Sequence, residues 1–132
     1  MPLVVDASVI VSSLTELTEA GDWARTTLLG ERLASPHLML FEVGNTFSNQ
    51  AKRGDISKDM AEDSLRRLLE MRISLSAFPL TARRAWELRD NFSIYDASYV
   101  ALAELLDAPL VTLDKGIANG PRLRCDLLLF PG

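Results

Sequence analysis

Along the 132 residues, short apolar runs alternate with longer stretches whose apolar positions recur every three or four residues. That alternation marks a parallel sheet joined by helical crossovers. Leu3-Val4-Val5 is apolar on both faces, as a central strand requires, and it stops at Asp6. Residues 7 to 30 read as largely helical, with polar breaks from Thr15 to Gly21, and Gly30 suits a helix C-terminus. Leu33-Ala34 reads as a short strand. Ser35-Pro36 then has the chemistry of a helix start, with Ser at the N-cap and Pro at the first helical position. That helix is expected to run to about Lys52 and stop at Gly54.

Ser57 opens the next helix, with Asp59 and Glu62 in its first turn, where the helix dipole favours acids. Its apolar stripe is Ala61, Leu65, Leu68 and Leu69. Ile73 to Phe78 alternates as a strand does. Leu80 and Thr81 form a staple and N-cap for a helix carrying Ala82, Ala85, Trp86 and Leu88. Ser93 caps a helix with body Asp96 to Leu106, apolar nearly all round and so expected to be buried. Leu110 to Leu113 is a strand ending at Asp114, and Leu127 to Phe130 is the last strand.

Composition narrows the function classes. The length fits one compact domain over residues 1–132. No apolar run approaches the roughly 20 residues of a membrane span. The Met-Pro-Leu-Val-Val start lacks the features of a signal peptide, so a cytoplasmic location without membrane attachment is the expectation. One cysteine, Cys125, and one histidine, His37, exclude zinc sites built on those ligands. Cys125 precedes an apolar run and reads as a buried structural thiol. A Ser-His-Asp triad would need His37, which stands in no nucleophile motif. Net charge is −4, which argues against a general nucleic-acid coat but not against an acidic centre with a basic rim. Arg53, Arg83, Arg84, Lys115 and Arg122 are candidates for that rim.

Asp6 and Asp114 each follow an apolar strand directly. In parallel sheets, ligands bind beyond the carboxyl ends of the strands. Asp96, near a helix start, falls at the same edge in a right-handed βαβ unit. Glu42 lies two turns into its helix, with Asn45 and Asn49 along the same side. Each acid alone has a structural use, as a cap, a turn residue or a helix former. Together they raise a charge problem. Two carboxylates about 4 Å apart repel by roughly 4 kcal/mol at an effective dielectric of about 20. Oxygen-only donors suit Mg²⁺ or Mn²⁺, which offset that charge and can activate water against a phosphodiester.

These residues carry a resemblance. Val5-Asp6-Ala7-Ser8, Phe41-Glu42-Val43-Gly44-Asn45, Tyr95-Asp96-Ala97-Ser98-Tyr99-Val100-Ala101-Leu102-Ala103 and Leu110-Val111-Thr112-Leu113-Asp114 stand in order along nearly the whole chain. The chain resembles the PIN-domain nucleases, and in particular the VapC-type toxins. The resemblance implies a three-layer α/β/α fold with a central parallel sheet. It implies a toxin of a toxin–antitoxin pair that cleaves RNA endonucleolytically with Mg²⁺ or Mn²⁺. Asp6, Glu42, Asp96 and Asp114 become the catalytic quartet, with Asp6, Asp96 and Asp114 toward metal. Ser8, Asn45 and Thr112 become supporting polar positions. A VapB-type antitoxin reaching into the acidic groove and a homodimer are also implied. Unlike many relatives, the chain has no second acid beside Asp96.

Several rivals share single features. A HAD-type phosphatase needs a second Asp where Ser8 stands. A phosphoreceiver needs an acid after the third strand, where Pro79-Leu80-Thr81 has none. A PIN fold serving only as a binding module would not need all four acids. A housekeeping RNA-processing nuclease without an antitoxin is the remaining alternative.

Overall fold

A computed structural model of the chain describes residues 2–121 and 123–132. The elements run β1 (Pro2–Val5), α1 (Ala7–Thr15), α2 (Glu19–Leu28), β2 (Arg32–Pro36), α3 (Leu38–Arg53) and α4 (Lys58–Glu70). They continue with β3 (Ile73–Ser76), a 3₁₀ turn (Phe78–Leu80), α5 (Ala82–Glu87), α6 (Ile94–Leu106), β4 (Leu110–Thr112), α7 (Lys115–Ala118) and β5 (Leu127–Leu129). The strands form one sheet in the order β3-β2-β1-β4-β5, every pair parallel. The expected three-layer α/β/α fold is what the chain adopts. Helices α1 to α4 pack against one another in one layer, and α5 with α6 in the other.

β1 lies at the centre of the sheet, and Val4 and Val5 are fully buried between the two layers. The chain leaves β1 in one direction to β2 and β3, then returns to β4 on its other side. That reversal opens a crevice beyond the carboxyl ends of β1 and β4, the place where such sheets bind ligands. α6 packs on β1, β2 and β4, and its residues Ala97 to Ala103 are all buried. It is the central support of its layer, as its apolar sequence requires. Arg84 on α5 pins that layer from outside through Glu104 on α6, with Nε to Oε1 at 2.6 Å. Among the described residues, no helix is long and apolar enough to cross a membrane.

Several local expectations fail. Ser35 and Pro36 do not start a helix; they extend β2, opposite Leu75 and Ser76 of β3. The Ser35 hydroxyl donates to the Val5 carbonyl at 2.8 Å, across to β1 rather than toward a helix start. α3 begins at Leu38 with no side-chain cap. It still ends at Gly54, in the left-handed conformation glycine favours. On α4 the buried side is Ser64 and Leu68, while Leu65 and Leu69 face outward. This helix packs chiefly on α1 and α3, so its contact stripe is narrow. Thr81 caps nothing with its side chain; a tight turn from Phe78 feeds α5 instead. α5 is only six residues long, so Ala85 and Leu88 are buried but Trp86 is exposed under the Arg89 guanidinium. Cys125 is half-buried and lies ahead of β5 rather than in it.

The position of the α4 stripe sets an expectation for stability. Leu68→Ala should cost about 2–5 kcal/mol in chemical denaturation, while Leu69→Ala should stay within about 0.5 kcal/mol. Equal losses at the two sites would show that the stripe is wrongly placed.

Candidate active site

At the crevice, Asp6, Glu42, Asp96 and Asp114 line one pocket of about 170 Å³, together with Ala7, Ser8, Tyr99 and Ile117. The four acids come from four places: the end of β1, the second turn of α3, the first turn of α6, and the end of β4. Among the described residues, the pocket lining holds no lysine or arginine.

Asp6 is the most enclosed of the four, at 4% exposure. Its Oδ1 accepts from the Ser8 hydroxyl at 2.6 Å and from the Val9 amide at 3.1 Å, so it also caps α1. Its Oδ2 accepts from the Thr112 hydroxyl. Ser8 and Thr112 are therefore turned toward Asp6, and each also ties in the chain after β4. The Leu113 amide donates to Ser8 at 3.2 Å, and the Asp114 amide donates to Thr112 at 2.8 Å. Asp114 caps the short α7 by accepting from the Gly116 amide at 2.8 Å. A β-carbon at Gly116 would stand 3.0 Å from that same oxygen and would press on the Asp114 carboxylate. Asp96 sits in the first turn of α6, its amide held by the Ser93 hydroxyl at 3.0 Å.

Glu42 reaches the pocket from the opposite helical layer, and Tyr99 of α6 meets it there. The Tyr99 hydroxyl donates to Glu42 Oε1 at 2.5 Å. Sequence reasoning did not single out Tyr99, because the surrounding helix reads as plain core. The signal was its spacing: three residues after Asp96, on the same helical face. Asn45 is exposed and is not part of the pocket lining. Of the candidate basic residues, Arg84 is engaged with Glu104 and Glu87, and Arg53 with Asp55. Arg83 and Lys115 are exposed. Arg122 lies outside the described residues.

The electrostatics follow from burial and mutual repulsion. Burial is the main reason the Asp6 carboxyl is pushed above the usual carboxylate range; its hydrogen bonds pull the other way, and Asp114 adds to the rise. Glu42 is raised by burial and by Asp96 and Asp6, against the Tyr99 hydrogen bond. Asp96 is raised by burial and by Asp114. Tyr99 is pushed far up by burial beside these acids, so its hydroxyl stays protonated and remains a donor. Each raised acid thus feels at least one other member of the quartet.

Among the described residues, no three His, Cys, Asp or Glu side chains form a ready-made ligand cluster. Mg²⁺ or Mn²⁺ does not require one. Such an ion takes one or two carboxylates directly and keeps water at its other positions. An oxygen-only pocket with uncompensated negative charge fits that class of ion and does not fit soft metals.

A PIN domain family model matches residues 3–123. The chain is 36% identical over 132 residues to the VapC ribonuclease Mb0985 of Mycobacterium bovis, covering 98% of each chain. It is 36% identical over 129 residues to ribonuclease VapC1 of Mycobacterium tuberculosis, covering 96% of each. Among solved structures, VapBC2 from Rickettsia felis, bound to a DNA fragment from their promoter, superposes with a TM-score of 0.71. The match covers 98% of each chain at 16% identity, a likeness of fold.

The raised acids give a pH dependence with a defined sign. In the metal-free protein, folded Asp6 holds its proton more tightly than unfolded Asp6. The folded state therefore binds more protons, and this contribution to stability falls as pH rises above the ordinary 3.8. Asp6→Asn removes the effect. With chelator present, the melting temperature of Asp6→Asn relative to wild type should climb as pH rises above 3.8. Parallel melting curves across that range would rule this out.

Proposed function

The chain belongs to the PIN-domain family, and on that footing we propose that it is a divalent-metal-dependent endoribonuclease, the toxin of a toxin–antitoxin pair. The observation that carries the reading is the pocket itself: four carboxylates from four separate elements around one small space, without a cation among the lining residues. Mutual repulsion makes such a cluster unfavourable for folding alone. Its retention makes sense where a bound cation and a phosphodiester use it. Relatives 36% identical over nearly the full length are named ribonucleases, which supports the same activity. Residues 1–132 are taken as one PIN domain, working in the cytoplasm.

Asp6, Asp96 and Asp114 would hold Mg²⁺ or Mn²⁺. When bound, the cation offsets the carboxylate charge and stabilises the negative charge that develops on the scissile phosphodiester. The other work falls to side chains of the chain itself. Glu42 accepts a proton from the water that attacks phosphorus, as the bond to the leaving oxygen breaks. Ser8 and Thr112 keep Asp6 in one orientation. Lys115, exposed beside Asp114, contacts the RNA backbone. An unpaired loop of RNA, rather than the deep groove of a duplex, suits a pocket this small.

The proposed partner is a VapB-type antitoxin that places an arginine against the acids, as charge complementarity favours. A second copy of the chain is the other proposed partner. Phe41, Phe78 and Tyr95, all exposed, border a mostly apolar cleft of about 300 Å³ on the face next to the acids. Light scattering should read two chains per particle, and Phe41→Ser with Phe78→Ser should shift it toward one. A wild-type protein that is monomeric at all concentrations would remove the dimer.

Cleavage of a structured RNA should require Mn²⁺ or Mg²⁺ and stop with chelator. Asp6→Asn, Asp96→Asn and Asp114→Asn should each lower kcat by about 100-fold or more, the equivalent of several kcal/mol of lost transition-state stabilisation. Wild-type rates in all three variants would end the assignment. Expression of the chain alone in a bacterium should arrest growth; cleavage in vitro without arrest would point to a housekeeping nuclease.

A further inference from the structure

Glu42 is the one acid of the quartet that arrives from the opposite helical layer, with its carboxylate at the tip of a flexible side chain. Asp6 has three donors and Asp114 has a turn amide to fix it. The side-chain contact that orients Glu42 is the hydroxyl of Tyr99, at 2.5 Å from Oε1. Tyr99 itself has little freedom: it is 2% exposed, and its helix is buried on both sides of it. Ala7, at the junction of β1 and α1, lines the same pocket. One phenol therefore links two elements: α6 through its backbone and α3 through Glu42.

We propose that Tyr99 is a positioning residue for the reaction, a fixed donor that locks Glu42 Oε1 so that Oε2 faces the pocket. The proposal rests on the nuclease reading above and on the role given there to Glu42. A glutamate that must receive a proton from water needs a set direction, because misplacement of about 1 Å can cost on the order of 100-fold in rate. A phenol serves this better than a flexible polar side chain. Its ring is clamped by the core, its O–H extends along a fixed line, and, being neutral, it orients Glu42 without offsetting the negative charge of the pocket. A tyrosine in an apolar helix also needs a partner for its hydroxyl, and Glu42 supplies that as well. The two roles separate experimentally.

Tyr99→Phe keeps the ring and deletes only the donor. In the Mn²⁺-dependent cleavage assay, kcat should fall roughly 10- to 100-fold, the usual range for partners that orient active-site ligands. KM and the Mn²⁺ concentration for half-maximal activity should change by less than about threefold, since neither RNA nor metal contacts are touched. In a Glu42→Gln background, the same substitution should add less than about threefold, because the two residues act as one unit. Replacing Tyr99 with p-aminophenylalanine, which restores a donor at the same place, should recover most of the lost rate. The ¹³C carboxyl signal of Glu42 should move in Tyr99→Phe, and this readout stands even if the wild type cleaves no RNA. Unchanged kcat in Tyr99→Phe would overturn the proposal. So would equal losses with and without Glu42, an unmoved Glu42 signal, or a loss that tracks unfolded protein and is not rescued by the p-amino variant.

Discussion

Burying the Asp6 carboxylate costs free energy, and the chain offsets that cost with donors from three directions. The amide of Val9 comes from the helix that follows β1, the hydroxyl of Ser8 from its first turn, and the hydroxyl of Thr112 from the neighbouring strand. These bonds dictate much of the surrounding structure. They start α1 at a fixed angle. They hold the end of β4 against the end of β1. Through the Leu113 and Asp114 amides, they also fix where the chain turns after β4. The crevice at the reversal of strand order is therefore braced by the buried carboxylate at its base.

The two helical layers meet at that crevice from opposite sides. α3 delivers Glu42 and α6 delivers Asp96 and Tyr99, so the pocket is as precise as the packing of those helices on the sheet. That packing is strong where it needs to be. Val43 on α3 is fully buried next to Glu42, and Ala97, Val100 and Leu102 on α6 are at or near zero exposure. The apolar interior absorbs the strain of bringing like charges together, and it leaves the charges uncompensated by any basic side chain in the lining. Four acids held by that frame make a prearranged field of negative charge rather than a set of mobile groups.

Much of this arrangement was legible in the sequence, and the illegible parts share a cause. Asp6 and Asp114 were readable because a strand end is a local feature with a known place in a parallel sheet. Asp96 was readable as a first-turn acid. Glu42 needed the family pattern, since its approach depends on how α3 crosses the sheet edge. Ser35-Pro36 misled because local capping chemistry was outweighed by pairing with β3, a partner some forty residues away. Leu65 and Leu69 misled because periodicity names an apolar side but not how much of it finds a neighbour. Tyr99 was hidden by its apolar surroundings. Asn45, assigned a supporting place by resemblance, is exposed and outside the pocket lining.

The bond between Thr112 and Asp6 joins residues 106 positions apart. On a ribosome, β1 emerges first and waits through most of translation for β4, the strand that completes its second edge. Until Leu110 to Thr112 have left the exit tunnel and paired, Asp6 lacks a donor, Asp114 has no place, and the crevice has only one wall. The pocket therefore depends on a contact that spans most of the sequence, and neither half of the fold makes it alone.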